Sequence, residues 1–254
     1  MSHWGLLLRV TRNELSGRYA GSLLGIGWVL LAPMLILGIY AVVYLLIFRV
    51  RVPGLTSGQY VVYIFSGLVP YLAMAEAVTI GCGSVVSDKG VLSNTVFPID
   101  LVPVKPVLTA QGVMVAGMAV VLLGLVLTGS LHWTIVILPV IWFLQIVWLA
   151  GINWFLSLFN VVFRDLQQLL TAILMMLLVA SPFAYTPAMV PPQLRLMILL
   201  NPFAYFVIAY QKVLVLGELP TMTQWLVLIL ITLGMFGLGS WFFNQTKRAV
   251  IDYV

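Results

Sequence analysis

The sequence predicts an all-helical polytopic membrane protein, and three observations lead to this fold class. Hydrophobic residues make up 63% of the 254 residues and charged residues only 7%, which is too little polar surface to cover a soluble globule. The apolar runs are mostly about 20 residues or longer, the length that crosses a bilayer as a helix. They also lack the alternating pattern of barrel strands, whereas a helix satisfies its own backbone hydrogen bonds within lipid.

Six transmembrane helices are predicted from these runs. Their approximate limits are residues 24–48, 59–81, 106–128, 134–159, 167–186 and 222–243. One transmembrane domain is therefore expected over residues 1–254. The N-terminal segment has several charged residues and no small-residue cleavage site after a short apolar core, so the first run is expected to remain in the protein.

The distribution of Lys and Arg predicts that both termini lie in the cytoplasm. Eight of the basic residues fall in the N-terminal segment, the second and fourth loops and the C-terminal tail: Arg9, Arg12, Arg18, Lys89, Lys105, Arg164, Lys247 and Arg248. Four fall on the other side: Arg49, Arg51, Arg195 and Lys212. Basic residues favour cytoplasmic loops, although Arg49 and Arg51 directly after the first span run against this pattern.

The first 20 residues have the pattern of an amphipathic helix that lies in the membrane interface. Trp4, Leu7 and Leu8 fall near one helical face, and Arg9 and Arg12 fall elsewhere. Arg18 adds a further positive charge before the first span. An ordinary positively charged leader remains the alternative.

Two connections differ from simple turns. Residues 83–105 contain a short polar helix candidate over residues 84–92, followed by prolines that break any continuous helix. Residues 187–221 contain two apolar stretches, 194–200 and 203–216, that are too short to span and are separated by Asn201-Pro202. Such lengths are typical of re-entrant or interfacial helices. The alternatives are a plain loop for the first segment and outer-surface helices for the second.

The residues needed for an enzyme are missing. No G-x-x-x-x-G-K-[ST] string is present to hold ATP phosphates, and no nucleophile lies beside a base within the spans. The sequence therefore predicts no catalytic, cofactor or metal residues, and the dispersed charge of +5 does not indicate nucleic-acid binding. Glu76 is the acidic residue well inside a predicted span, so a stand-alone proton-coupled carrier is one alternative function.

Aromatic residues at helical spacing suggest side chains that line a water-filled path through the membrane. The candidates are Tyr40, Tyr44, Tyr60, Tyr63, Trp142 and Gln145. Rings with a polar group can offer flat apolar faces to sugars and a hydrogen bond to water. Alternatively, such rings anchor helix ends at the membrane interfaces.

A series of short motifs recurs in order over nearly the whole chain. It begins with Arg12-Asn13-Glu14-Leu15 and continues with Arg18-Tyr19-Ala20-Gly21-Ser22-Leu23-Leu24-Gly25, Trp28 and Pro33. Further along the chain come Phe97-Pro98, Phe163-Arg164-Asp165-Leu166, Pro187 and Asn201-Pro202. In this order and at these spacings, the motifs resemble those of the membrane subunit of ABC-2-type polysaccharide exporters, the group that serves O-antigen, capsule and teichoic acid export. Lys212 departs from the pattern, because arginine is expected there in many relatives.

The resemblance implies a homodimeric channel in the bacterial cytoplasmic (inner) membrane, among membrane lipids. Two copies of a separate nucleotide-binding ATPase subunit, with ATP and Mg²⁺, would dock from the cytoplasm, and the substrate would be a lipid-linked polysaccharide, with O-antigen of lipopolysaccharide as the first candidate. Residues 83–105 would then contact the ATPase through Asp88, Lys89 and Asn94, a helix-in-groove contact. Residues 187–221 would form an external gate.

Two further expectations complete this hypothesis. Arg164 and Asp165 are expected to form a local ion pair that fixes the start of the fifth helix. Within transport, an ABC-2 exporter of teichoic acid, capsule, a lipid or a drug remains an alternative substrate assignment.

Overall fold

The computed structural model describes residues 21–22, 24–50, 52–88 and 98–251, and within these ranges all regular structure is helical. The predicted all-helical fold class is therefore confirmed. The helices of the described residues are α1 (Trp28–Val42), α2 (Ser57–Ser87), α3 (Lys105–Leu127), α4 (Leu138–Val162), α5 (Leu166–Ala180), α6 (Arg195–Leu199), α7 (Pro202–Gln211) and α8 (Met222–Ile251).

Short turns of other helical types extend several of these helices. Turns of 3₁₀ helix precede α1, α3 and α4, and two more precede α6, at Gly25–Gly27, Ile99–Leu101, Trp133–Ile137, Pro187–Met189 and Pro192–Leu194. π-Helical turns continue α1 and α7, at Val43–Ile47 and Lys212–Leu216.

Among the described residues, four helices are long and apolar enough to cross a membrane: Ser57–Ser87, Ile99–Leu127, Trp133–Val162 and Met222–Lys247. A fifth span results if the pair Pro192–Leu199 and Pro202–Leu216, bent by 97°, counts as one. The protein is thus a multi-pass membrane protein. Met34–Ile47 and Leu166–Ala180 are apolar but shorter, so the six-span arrangement stays a prediction.

The predicted fifth span, residues 167–186, is longer than the helix found there. Helix α5 ends at Ala180 after 15 residues, about 22 Å at 1.5 Å per residue. Pro182 follows directly, and proline has no N–H to continue the helical hydrogen bonds. The Ser181 hydroxyl instead donates to Leu177 O at 2.7 Å and closes the last turn.

The second helix is longer than predicted at both ends. A capping box starts α2, since Thr56 N donates to Gln59 Oε1 at 2.9 Å and Gln59 N donates to Thr56 Oγ1 at 3.4 Å. The helix then continues to Ser87. Ser84 and the residues after it therefore extend α2 instead of opening the separate short helix predicted at 84–92. Residues 89–92 of that prediction lie outside the described residues.

Helix α2 lies at the centre of the bundle and packs against α1, α3, α4, α5 and α7. Two glycines of α3 allow close packing on α2. A Cβ atom on Gly117 would lie 2.6 Å from a Val69 methyl carbon, and one on Gly124 would lie 2.8 Å from a Val62 methyl carbon. Small residues at helix crossings are typical of membrane bundles, because van der Waals contact replaces the hydrophobic effect there.

Helices α4 and α8 form the most extensive helix pair of the described residues. Their backbones meet at Gly151 and Gly239, where a Cβ atom on Gly239 would lie 2.0 Å from Gly151 O. The two helices therefore form a closely packed pair.

Contacts between distant residues define the two ends of the bundle. At one end, called the C-terminal end here, Lys105 reaches Asp88 and Lys247 of α8 reaches Asp100. At the opposite end, Thr134 donates to Val213 O at 2.7 Å. The connection between α2 and α3 thus lies at the same end as the end of α8.

Candidate functional site

An ion pair closes the connection between α2 and α3 at its base. Lys105 Nζ lies 2.5 Å from Asp88 Oδ2, and both side chains are largely buried. Asp88 ends α2 and Lys105 begins α3, so the pair holds the two helix ends together. Asp88 is one of the predicted ATPase-contact residues, whereas Lys89 and Asn94 lie outside the described residues.

The turn Ile99–Leu101 is attached to α4 and α8. Lys247 Nζ of α8 lies 2.5 Å from Asp100 Oδ1, and the indole N–H of Trp154 in α4 donates to Asp100 O at 2.9 Å. An apolar cluster of buried residues supports these contacts: Val85, Val102, Leu158 and Phe243. One short segment is therefore held by α2, α4 and α8 together.

Asn153 adds a buried polar link at this end. Its side-chain amide donates to Ala77 O at 3.0 Å and to Pro103 O at 3.1 Å, so α4 is joined both to α2 and to the segment before α3. Gly81 makes room, because a Cβ atom there would lie 2.1 Å from Asn153 Nδ2. Asn153 was not among the predicted site residues, although an amide side chain within an otherwise apolar run was a signal that the sequence offered.

The predicted lining tyrosines gather around the irregular chain after α5. The rings of Tyr40 and Tyr44 meet Phe183 edge to face, with centroids 5.4 and 5.7 Å apart. The Tyr60 hydroxyl donates to Ala184 O at 2.7 Å, and the Tyr63 hydroxyl donates to the next carbonyl along the chain at 3.4 Å. Tyr60 and Tyr63 are buried within the single chain, and the lining role of all four stays a prediction.

Trp142 and Gln145 lie on α4 and make hydrogen bonds to different helices. The Trp142 indole N–H donates to Gln111 Oε1 of α3 at 2.6 Å. Gln145 is buried, and its Oε1 accepts from the Tyr210 hydroxyl of α7 at 2.6 Å. Their lining role stays a prediction.

Gln211 is a buried amide that the prediction missed. Its Nε2 donates to Phe183 O at 2.9 Å and to Tyr63 O at 3.4 Å. It therefore joins α7 to α2 and to the tyrosine cluster. Gly67 approaches it closely, since a Cβ atom there would lie 2.8 Å from Gln211 Nε2.

The remaining predicted residues lie apart from these clusters. Glu76 is partly buried on α2. Arg164 and Asp165 are exposed, and the ion pairs formed within the described ranges do not join them, contrary to the expected local pair. Exposed charges gain little from pairing in water, which explains why adjacency in sequence does not produce one. Arg9, Arg12 and Arg18 lie outside the described residues.

Known proteins resemble the chain over most of its length, although no protein-family model matches it. A relative named O-antigen export system permease protein RfbA, from Myxococcus xanthus, is 26% identical over 253 residues, covering 98% of this chain and 95% of the relative. Two proteins of the same name from Klebsiella pneumoniae are 28% and 27% identical over 217 residues, covering 84% of this chain and 82% of each relative.

The chain is similar to permeases of O-antigen export systems. The resemblance predicted from the ordered motifs is therefore confirmed. The similarity to the Myxococcus xanthus permease covers 98% of this chain, so it extends over the connection between α2 and α3 and the bent pair α6–α7 as well as the long helices.

Proposed function

We propose that this chain is the channel-forming permease subunit of an ATP-driven exporter that moves a lipid-linked polysaccharide, with O-antigen as the first candidate, across the bacterial inner membrane. The observation that carries the proposal is the similarity to O-antigen export permeases over nearly the whole chain. The sequence has no phosphate-binding loop, so ATP and Mg²⁺ would be bound by a separate ATPase subunit.

The C-terminal end of the bundle is the proposed docking side for two ATPase subunits on a homodimer of this chain. The described ends of its connection between α2 and α3, at Asp88 and at residues 98–105, are held by the ion pairs Lys105–Asp88 and Lys247–Asp100. Ends that are held in this way can transmit a movement of a docked partner into the helices. Asp88, Lys89 and Asn94 remain the proposed contact residues.

The bent pair α6–α7 is the proposed gate at the opposite end. Its two helices meet at 97°, and Asn201 at the bend bonds to the end of α5. Irregular backbone at membrane depth is stable only where protein or a water-filled cavity covers it. The neighbouring tyrosines would give such a cavity a surface suited to sugar rings.

Reconstitution tests this function directly. The chain is purified with its ATPase subunit, placed in liposomes, and given ATP and a lipid-linked O-antigen on the ATPase side. The expected result is ATP-dependent appearance of glycan on the far side, detected with an impermeant lectin, and none with a non-hydrolysable ATP analogue. ATP hydrolysis without glycan movement would contradict the polysaccharide assignment and direct the test to teichoic acid, capsule, lipid or drug substrates.

The proton-coupled alternative makes an opposite prediction for Glu76→Gln. A carrier that uses Glu76 would lose transport in this variant, would need no ATP and would purify without an ATPase. For the exporter proposed here, the Glu76→Gln variant is expected to co-purify stably with its ATPase and to keep ATP-dependent transport.

A further inference from the structure

Asp100 is the point at which three separate elements meet. It belongs to the turn Ile99–Leu101, its carboxylate lies 2.5 Å from Lys247 Nζ of α8, and its carbonyl oxygen accepts from the Trp154 indole of α4 at 2.9 Å. Lys247 lies 147 residues further along the chain. The contact therefore fixes the C-terminal part of α8 to the segment that precedes α3.

This ion pair differs from an ordinary surface pair. Exposed pairs usually contribute little, because both side chains lose freedom and water screens the charges. Here the Lys247 side chain is 25% exposed and that of Asp100 46%, and one turn earlier on α8 Phe243 is buried in the cluster that contains Val102. The turn is thus held by a charge contact, a backbone hydrogen bond and apolar packing at once.

The elements that hold the turn are themselves one unit. Gly239 of α8 packs against Gly151 of α4 so closely that a Cβ atom would lie 2.0 Å from the facing carbonyl oxygen. Asn153, two residues after Gly151, donates to Pro103 O at 3.1 Å. A displacement of residues 98–104 would therefore be passed to α4 and α8 as well as along the chain into α3.

We propose that Asp100 and Lys247 are positioning residues that couple the connection between α2 and α3 to the α4–α8 pair. The inference rests on the proposed function, in which an ATPase subunit docks at this end. In that function, the movement driven by the ATPase reaches α8 as well as α2 and α3. Neither residue contacts the substrate; both act by holding the turn against α8.

Two variants with the same charge change separate this role from a general charge effect. Lys247→Gln removes the contact to Asp100, and Gln245→Glu, at an exposed position on the same helix end, lowers the net charge by the same amount without touching Asp100. In liposomes with the ATPase, Lys247→Gln is expected to lower the glycan moved per ATP hydrolysed by about two- to fivefold, because the equilibrium that holds the turn against α8 shifts by the amount usual for loss of one ion pair. Gln245→Glu is expected to keep the wild-type ratio.

The exchanged pair Asp100→Lys with Lys247→Asp provides the rescue. The double variant is expected to restore most of the glycan-to-ATP ratio that Lys247→Gln loses. The two charges at this contact are exchanged but still opposite, so α8 and the turn attract each other again. Co-purification of the ATPase and its basal hydrolysis are expected to stay at wild-type levels in Lys247→Gln. Loss of ATPase binding in that variant would instead make Lys247 a docking residue and overturn the positioning role.

Hydrogen exchange tests the attachment without any transport. In the chain alone, the backbone amides of residues 99–102 and of Val104 are expected to exchange faster in Lys247→Gln than in wild type or Gln245→Glu. Unchanged exchange, or an unchanged glycan-to-ATP ratio beside a working wild type, would overturn this inference only. A wild-type complex that hydrolyses ATP without moving glycan would overturn the proposed function, whatever the exchange shows.

Discussion

At the scale of single residues, glycines set how closely the helices approach. Gly239 packs on backbone atoms of α4, whereas Gly234 and Gly237, on the same helix, have no heavy atom of another element within 4 Å of a Cβ position. A side chain at Gly239 therefore meets the Gly151 carbonyl, which cannot rotate away. The same change at the other two positions meets open space.

Gly239→Ala is expected to destabilise the protein by about 1–3 kcal/mol, the usual effect of overpacking a tight contact. The measurement is the thermal unfolding midpoint in detergent. Gly237→Ala is the matched control and is expected to leave the midpoint unchanged or raise it slightly, because alanine favours a helix more than glycine does. Equal destabilisation by both changes would mean that α4 and α8 do not meet at Gly239.

Tyr60 provides a second test at the residue scale. Its hydroxyl donates to the buried carbonyl of Ala184 at 2.7 Å, so Tyr60→Phe removes a hydrogen bond and leaves that oxygen unpaired. The expected loss of stability is about 0.5–1.5 kcal/mol. Tyr205→Phe is the control, since the Tyr205 hydroxyl donates to Leu199 O in a longer bond, at 3.1 Å, at an exposed position. Thermal unfolding of both variants checks the difference, and a larger loss in Tyr205→Phe would contradict it.

At the scale of elements, Asn201 joins the end of α5 to the start of α7. Its Oδ1 accepts from Phe203 N at 3.0 Å and caps α7. Its Nδ2 donates to Leu177 O at 3.1 Å and to Ser181 Oγ at 2.8 Å. One fully buried amide thus supports both helix ends that flank the bent segment.

Asn201→Ala is expected to reduce the free energy of unfolding by about 1–3 kcal/mol, because a helix cap and two buried hydrogen bonds are lost together. Ser181→Ala removes one partner of that amide and is expected to cost less. Limited proteolysis of residues 187–194 should become faster in Asn201→Ala than in Ser181→Ala. The reverse order would show that Asn201 does not hold the segment.

The helical character of the apolar runs could be predicted from composition and length, whereas several helix ends could not. Pro182 ends α5, but the apolar pattern continues past it and led to a predicted span that was too long. Helix α2 extends to Ser87 because its last turn packs against α4 and α8 through Val85. Such a stabilising contact depends on residues far away in sequence, and a local pattern does not contain it.

The same reason limits what could be predicted of the candidate site. Asp88 was selected from a resemblance, yet its partner Lys105 lies 17 residues further along the chain, beyond the helical spacing that sequence patterns reveal. Asp100 and Lys247 were not selected, because their contact depends on the packing of α8 against α4. Single polar residues inside apolar runs, such as Asn153, were the available signal.

At the scale of the whole molecule, the contacts at the two ends of the bundle and the distribution of Lys and Arg together predict how the protein is oriented in the membrane. The turn Ile99–Leu101 and the end of α8 lie together, and the basic residues of the predicted cytoplasmic side include Lys105 and Lys247 at this end. Basic residues favour the cytoplasmic side. The loop after α4 should therefore be cytoplasmic, and the loop between α3 and α4 should be outside.

Cysteine labelling tests this orientation, because the sequence contains a single cysteine, Cys82, which is buried and can be replaced by alanine. In that background, Leu131→Cys, at an exposed site between α3 and α4, should react with an impermeant maleimide in spheroplasts. Asp165→Cys, at an exposed site after α4, should react only after the membrane is permeabilised. The opposite pattern would invert the protein and put the proposed ATPase docking side outside the cell; equal reactivity of both sites would contradict the assignment of the two loops to opposite ends.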